Sequence, residues 1–311
     1  MPSVAKTNVL RILAERYGRL KRLERSQSLY ELPGGAARIY IRYSAMHRGR
    51  RAFFGLRAAD LMRLEGRPSV ICLVWDSGEE PLVIPFSEFE EVFHSVAPAG
   101  DGQYKVQLYL NAEATELYVA RAGRFNVDMH MGWLALDEIV GSRLTEVPPD
   151  LSHCQVQTLL GSIGALKGFD IWVPLGDRGR LDWDIAHRFC SVPSFPQSFK
   201  TIQGIVQEVD VVWIRRGAGQ PRAFFEVEHS TPIYGGLLRF NDIRLIAPNL
   251  EATFNVVAND ERRDTFVRQL NRPTFMASGL ANECTFMDYP NVFGWYCRAS
   301  SEPRREVADA Q

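Results

Sequence analysis

EVDVVWIRRGAGQPRAFFEVEHS, residues 208–230, holds two apolar runs of strand length joined by a connection rich in Gly, Arg and Pro. Side chains alternate along a strand, so Glu226 and Glu228 share one face while Phe225 and Val227 take the other. The first run repeats the pattern, with Glu208 and Asp210 on one face and Val209 and Val211 opposite. A loop symmetric about Ala218 pairs Ile214 with Arg222, which sets Asp210 opposite Glu226 to within one residue. Like charges facing each other across an antiparallel ladder destabilise it by up to about 1 kcal/mol. A solvated strand face explains one Glu pair, but poorly explains a third acid at a matching hairpin position. A divalent cation reverses the argument, because Mg²⁺ takes carboxylate oxygens and keeps several waters. Such a site suits attack by activated water on an anionic group, and phosphodiester hydrolysis fits that description.

The flanking residues extend the α/β rhythm. SHCQVQTLLGSIGALKG (152–168) reads as a helix capped by Ser152, with Val156, Leu159, Leu160, Ile163 and Leu166 on its apolar face. A strand FDIWVPL and a polar, aromatic-rich loop at 176–200 lead to a strand in TIQGIVQEVDVVWI (201–214). After the second strand, Ser230 or Thr231 caps a helix with Pro232 in its first turn, running to about Ile246. A strand TFNVVA, a helix DERRDTFVRQLN and a strand-like ECTFMDY complete the order.

The order Asp210, fifteen residues, Glu226-Val227-Glu228, on a hairpin flanked by helices, resembles the PD-(D/E)XK nuclease superfamily. HCQVQTLLGSIGALKGFDIWVP is similar to its first core helix and strand, and the resemblance covers about residues 150–276. It implies a restriction-endonuclease-like mixed sheet flanked by helices, and cleavage of double-stranded DNA in restriction or defence. Mg²⁺ is the implied cofactor, with Mn²⁺ as a substitute, and such enzymes often work as homodimers. Asp210 and Glu226 would be the metal ligands, joined by the backbone carbonyl of Val227. Glu228 stands where the superfamily most often has lysine. A glutamate there can act as a base or bind a second ion, and Glu-x-Glu is an active variant, but it does not neutralise the transition state. Gln155 stands where relatives tend to have a glutamate that helps hold the metal or its water. These two departures leave room for a nuclease fold that binds nucleic acid without cutting it. An interaction protein whose acids bind an ion is a third reading. His153 and His229 read as structural, lacking a second histidine at ligand spacing. Gln157 and Arg239 read as polar residues on helix surfaces.

The first half has a different character. Residues 1–70 carry fifteen Lys/Arg against five Asp/Glu, although the 311-residue chain has a net charge of −1. A basic segment of this kind suits phosphate contact. Residues 5–25 have near-helical apolar spacing. From Arg38 to about Ala135, short apolar runs between turn signals predict a mainly β, barrel-like domain. They include RIYIRY, RAFFGLR, SVICLVW closed by Asp76-Ser77-Gly78, PLVIPF, YKVQLYL, TELYVA and FNVDMHMGWLAL, with short helices at Ala58–Leu64 and Ser87–Phe93. RYSAMHRGRRAFFGLR (42–57) interleaves Arg42, Arg48, Arg50 and Arg51 with Tyr43, Phe53 and Phe54. That mixture can contact phosphates and stack on bases, or be a basic loop followed by a strand with core aromatics. The Pro-paired stretch at 141–152 divides a DNA-recognition domain, 1–145, from a nuclease domain, 146–311.

No run approaches the roughly 18 apolar residues of a membrane span, and MPSVAKTNVLRILAERYGRLKRLERSQ lacks the pattern of a signal peptide. A cytoplasmic protein without membrane partners is expected. Five cysteines without CxxC spacing predict free thiols.

Overall fold

The computed structural model describes residues 4–24, 26–76, 80–111, 114–145, 150–230 and 232–301. Ser77-Gly78, Pro148-Pro149 and Thr231, where the sequence placed a turn, a linker and an alternative cap, lie outside these residues. Two compact units divide the chain, 1–147 and 148–311.

The first unit opens with α1 (Val4–Tyr17), β1 (Lys21–Arg22), β2 (Leu29–Glu31), β3 (Arg38–Ser44), β4 (Met46–His47) and β5 (Arg51–Arg57). It continues with α2 (Ala58–Met62), β6 (Ser69–Trp75), β7 (Leu82–Pro85) and α3 (Phe86–His94). β8 (Gln103–Leu110), β9 (Thr115–Val119), β10 (Gly123–Asn126) and α4 (Leu134–Thr145) complete it. One sheet, β1-β2-β3-β6-β7, is antiparallel except for the β3/β6 pair; the other, β10-β9-β8-β5-β4, is antiparallel throughout.

Residue pattern explains the layering. SVICLVW on β6 is buried at every position, as a strand covered on both faces must be. One face of its sheet packs on α1 and α4 through Val9, Leu13 and Leu136; the other meets Ala52, Phe54, Leu56, Val106 and Leu117 of the second sheet. RAFFGLR on β5 alternates instead, so the second sheet keeps an outer face. The described strands form two open sheets rather than a closed barrel. Two readings need correction. The first helix stops at Tyr17, because Gly18 takes φ +92°, and Lys21–Arg22 pair with β2. FNVDMHMGWLAL is not one strand: its beginning closes β10 and its end starts α4, which runs on through residues 141–145.

The second unit contains α5 (His153–Leu166), β11 (Asp170–Trp172), α6 (Gln203–Val206), β12 (Val211–Ile214) and β13 (Pro221–Val227). α7 (Ile233–Ile246), β14 (Thr253–Ala258), α8 (Arg263–Leu270), α9 (Pro273–Ser278), β15 (Cys284–Asp288) and α10 (Tyr289–Ser301) follow. Its sheet runs β11-β12-β13-β14-β15, with antiparallel pairs up to β13 and parallel pairs beyond. Helices cover both faces. Phe225 and Val227 join the core with α5 and α10, whereas Phe224 joins the core with Leu237 and Phe240 of α7. Glu226, alternating with Phe225 and Val227, therefore lies on the α7 face.

The hairpin holds the expected register at Val211↔Phe225, Val212↔Phe224 and Trp213↔Ala223. A bulge then moves Ile214 onto Pro221 instead of Arg222. TIQGIVQE is not strand: Phe199, Ile202, Val206 and Val209 recur at helical spacing and are buried around α6. Glu208 is consequently an exposed turn residue, not a partner of Asp210 on a strand face. α7 starts after Pro232, which occupies the N-cap position, and no side-chain cap is made. The C-terminal α10 follows directly on β15; Asp288 Oδ1 accepts the Asn291 N–H at 2.9 Å and Pro290 lies in the first turn, start signals that the strand-like reading of ECTFMDY passes over. All five cysteines are free. Among the described residues, no helix is long and apolar enough to cross a membrane.

Candidate active site

Asp210 sits one residue before β12, and its Oδ2 accepts the Val227 N–H at 2.6 Å. This bond, not a ladder pair, ties the loop acid to the end of β13. His153 Nε2 lies 3.6 Å from the other oxygen, Oδ1. Burial pushes Asp210 up to about 7; the Val227 N–H and Arg239 oppose the shift, while Glu228 and Asp177 reinforce it.

Glu226 is fully buried, and Arg239 of α7 grips both of its oxygens, through Nε at 2.7 Å and Nη2 at 2.6 Å. A bidentate guanidinium favours the carboxylate. Burial outweighs it and, with Asp210 and Glu228 nearby, pushes Glu226 up to about 8. Glu228 is 3% exposed; its N–H donates to the Val257 carbonyl at 2.8 Å, and its own carbonyl accepts from Arg262. The sequence places Arg239 on a helix surface, whereas in the fold it reaches the buried Glu226. Its partner depends on how α7 rolls against the sheet, which periodicity alone does not show.

Gly236 makes room for the two glutamates. A Cβ there would lie 2.7 Å from Glu228 Oε1 and 3.1 Å from both Cβ and Cγ of Glu226. Gly236→Ala should preserve α7, since alanine is the better helix former. It should nevertheless slow any reaction at these acids by roughly 10²-fold through their displacement. Parallel rate and thermal-melting measurements would check this; an unchanged rate in a folded variant would mean that glutamate placement is unimportant.

Gln155 forms a capping box with Ser152, accepting the Ser152 N–H at 3.0 Å through Oε1. Its Nε2 donates to Asp182 at 3.0 Å, so the structure gives this side chain a helix-start and loop-anchoring position. Gln157, read as a surface residue, is fully buried. Its Nε2 donates to the Asp210 carbonyl at 2.9 Å and to Asp177 at 3.2 Å, leaving Oε1 without a hydrogen-bond donor. His229 stacks on Tyr289, with ring centroids 6.0 Å apart.

This surrounding fits a cation in two respects. Three acids lie in each other's field with burial raising two of them, and a buried amide oxygen beside Asp210 has no donor. The acids are not drawn into a tight cage. Among the described residues, Glu65, Glu90 and His94 of the first unit are the ones whose three ligand atoms lie within 4.8 Å of one another. Mg²⁺ does not require a cage, because one or two carboxylates plus waters and substrate phosphate ordinarily hold it.

In the first unit, Arg48, Arg50 and Arg51 come together, exposed, at the β4–β5 turn. Arg42 and Tyr43 belong to β3 in the other sheet. Arg42 is half-buried with Nη1 3.5 Å from Ser28 Oγ, and Tyr43 donates to Asp76. Phe53 is 46% exposed while Phe54 is buried, so the two adjacent aromatics divide between surface and core.

Coupled carboxylates at the open end of a hairpin, inside a mixed sheet layered by helices, define an α/β protein with an acid-centred site. The chain belongs to the family of the type II restriction enzyme NmeDI C-terminal domain, whose family model matches residues 139–302, more than half of the chain. It is 32% identical over 133 residues to the type II restriction enzyme NmeDI of Neisseria meningitidis serogroup C, which covers 40% of this chain and 37% of that protein. The match thus spans well under half of the relative's length. No solved structure matches.

Proposed function

We propose that this chain is a metal-dependent DNA endonuclease of the PD-(D/E)XK type, acting in restriction or defence in the cytoplasm. The observation that carries this reading is the joining of half-buried Asp210 to the end of β13, beside the buried Glu226 and Glu228, within the segment matched by a restriction-enzyme family. Asp210, Glu226 and the Val227 carbonyl would hold Mg²⁺, for which Mn²⁺ can substitute. When bound, the ion lowers the pKa of water and offsets charge on the phosphate. The chain's residues then have separate tasks. Asp210 and Glu226 would hold the cation, and Glu228 would accept a proton from the water that attacks phosphorus as the P–O bond to the leaving 3′ oxygen breaks, that oxygen taking its proton from solvent. Gln157 Oε1 would orient a donor beside Asp210. Gln155 fixes the start of α5 and the Asp182 loop. Arg239 opposes the burial that disfavours the Glu226 carboxylate, and its guanidinium would be available to a substrate phosphate.

Residues 1–145 would recognise double-stranded DNA, with Arg42, Tyr43, Arg48, Arg50 and Arg51 as contact residues. Cutting both strands would require two sites, which a homodimer provides. A second reading, a nuclease fold that binds DNA but cuts it weakly or not at all, draws support from Arg239 occupying both Glu226 oxygens.

Supercoiled plasmid incubated with Mg²⁺ or Mn²⁺ tests the proposal. Nicking by wild type that disappears with EDTA and with Glu226→Gln supports an endonuclease. Equal nicking by both proteins would assign the activity to contamination. Binding without cutting in either metal would favour the second reading.

A further inference from the structure

We propose that the outer face of the β10-β9-β8-β5-β4 sheet holds an unpaired stretch of DNA, with Phe53 and Tyr118 stacking on bases and Arg51 and Arg124 on the flanking phosphates. This rests on the reading that the chain acts on DNA and adds which surface takes the strand, and in what form.

Registers place the side chains. Core residues Ala52, Phe54, Leu56, Val106, Leu108, Leu117 and Val119 point inward, so the alternate positions form the outer face. One row across the strands reads Phe53, Gln107, Tyr118, Arg124; the next reads Arg51, Tyr109, Glu116, Asn126. Rings, amides and guanidiniums therefore alternate as cross-strand neighbours. Tyr109 lies beneath two guanidiniums, with Arg51 5.2 Å and Arg124 4.4 Å from its ring centroid, and donates to Gln107 at 2.7 Å. His47 stands edge-on to the exposed Phe53 at 5.1 Å. Gly55 keeps the next row low, because a Cβ there would meet the Gln103 side chain at 1.9 Å.

Charge and shape identify the occupant. Arg51, Arg57, Lys105 and Arg124 share this face; Glu116 pairs with Arg124 at 3.0 Å and Asp101 pairs with Lys105, which leaves Arg51 and Arg57 as its surplus charge. Arg48 and Arg50 extend the positive edge at the β4–β5 turn, where Arg50 takes the left-handed φ of 54° that turns usually give to Gly or Asn. Guanidiniums set against rings are the combination that holds phosphates while bases stack. The major groove of a duplex, about 12 Å wide, admits a helix or a two-stranded ribbon. A face of four strands spans roughly 14 Å from first to last and is too broad to enter it. Paired bases also present edges, not faces, to such a surface; only unpaired bases can stack on Phe53 and Tyr118. Gln103 and Gln107 then supply hydrogen bonds to base edges.

The test is fluorescence anisotropy of the full chain in EDTA with labelled dT12 and with a blunt 20-base-pair duplex. Phe53→Ala should weaken dT12 binding by roughly 10- to 100-fold, and Phe53→Trp should retain it. Duplex binding by Phe53→Ala should stay near wild type. The Arg51→Ala, Arg124→Ala double variant should reduce the slope of log affinity against log salt on dT12 by about 1.4, as expected for two lost phosphate contacts. Unchanged dT12 binding by Phe53→Ala, or an equal loss on dT12 and duplex, overturns the stacking face. If wild type still nicks plasmid in Mg²⁺, that failure belongs to the face alone. If wild type neither binds nor nicks DNA, the nuclease reading beneath it fails as well.

Discussion

Asp210→Asn should reduce DNA cleavage by roughly 10²- to 10³-fold while stabilising the metal-free protein at pH 8. The opposed signs follow from one cause. Asparagine keeps the shape of Asp210 and an oxygen to accept the Val227 N–H, but it brings no charge for a cation. Burial pushes Asp210 up to about 7, so at pH 8 the folded protein holds an ionised acid beside Glu226 and Glu228 that its surroundings disfavour. The neutral isostere removes that repulsion, giving about 1–3 kcal/mol and a melting temperature roughly 3–8 °C higher. Plasmid-nicking rates in Mg²⁺ and thermal melts in EDTA measure both sides. A variant that cuts as fast as wild type removes Asp210 from the site. One that melts lower shows that the carboxylate serves the fold instead.

The nearness of Asp210 to the end of β13 was legible because three ladder pairs hold the counted register from Val211 to the bulge at Ile214, although Asp210 itself lies one residue outside the strand. Layer order in the second unit was legible for a similar reason, since alternation assigns Phe225 and Val227 to one face and Glu226 to the other. The residues around the acids were harder to read. Arg239 and Gln157 lie on helices, where a polar residue looks the same whether it meets water or a buried carboxylate. Only the docked helix shows that Arg239 reaches Glu226 and that Gln157 reaches the Asp210 carbonyl. Gly236 gave no signal either, because the space it leaves belongs to side chains eight and ten residues earlier. In the first unit the Phe53-Phe54 pair was ambiguous until the sheet gained a second layer on one side.

Glu228 changes meaning in this setting. It adds a third carboxyl group beside Asp210 and Glu226. The nearby positive charge comes from α7, where Arg239 holds Glu226 with two hydrogen bonds. A guanidinium is always charged and matches a phosphate as well as it matches a carboxylate. Under the proposed function, a cation at Glu226 would leave Arg239 available to a substrate phosphate.

Stability in EDTA should fall from pH 5 to pH 8, and Mg²⁺ should restore it mainly at the upper end. Folding raises Asp210 from 3.8 to about 7 and Glu226 from 4.5 to about 8. Across that interval the folded chain binds more protons than the unfolded chain, so the free energy of unfolding decreases as pH rises. The protonated acids favour the fold fully below the unfolded values, and this contribution is lost as pH passes the folded ones. A fall of at least roughly 5 °C in melting temperature is expected between pH 5 and pH 8. Mg²⁺ competes with the same protons, since it takes ionised carboxylates. At a hundredfold excess over its dissociation constant it should contribute about 2.7 kcal/mol at pH 8 and little at pH 5. Asp210→Asn should flatten both dependences, because it removes one titrating group and one ligand together. Thermal melts of wild type and variant on a grid of pH and Mg²⁺ supply the measurement. A melting temperature that Mg²⁺ raises equally at pH 5 and pH 8 would place the ion away from these acids.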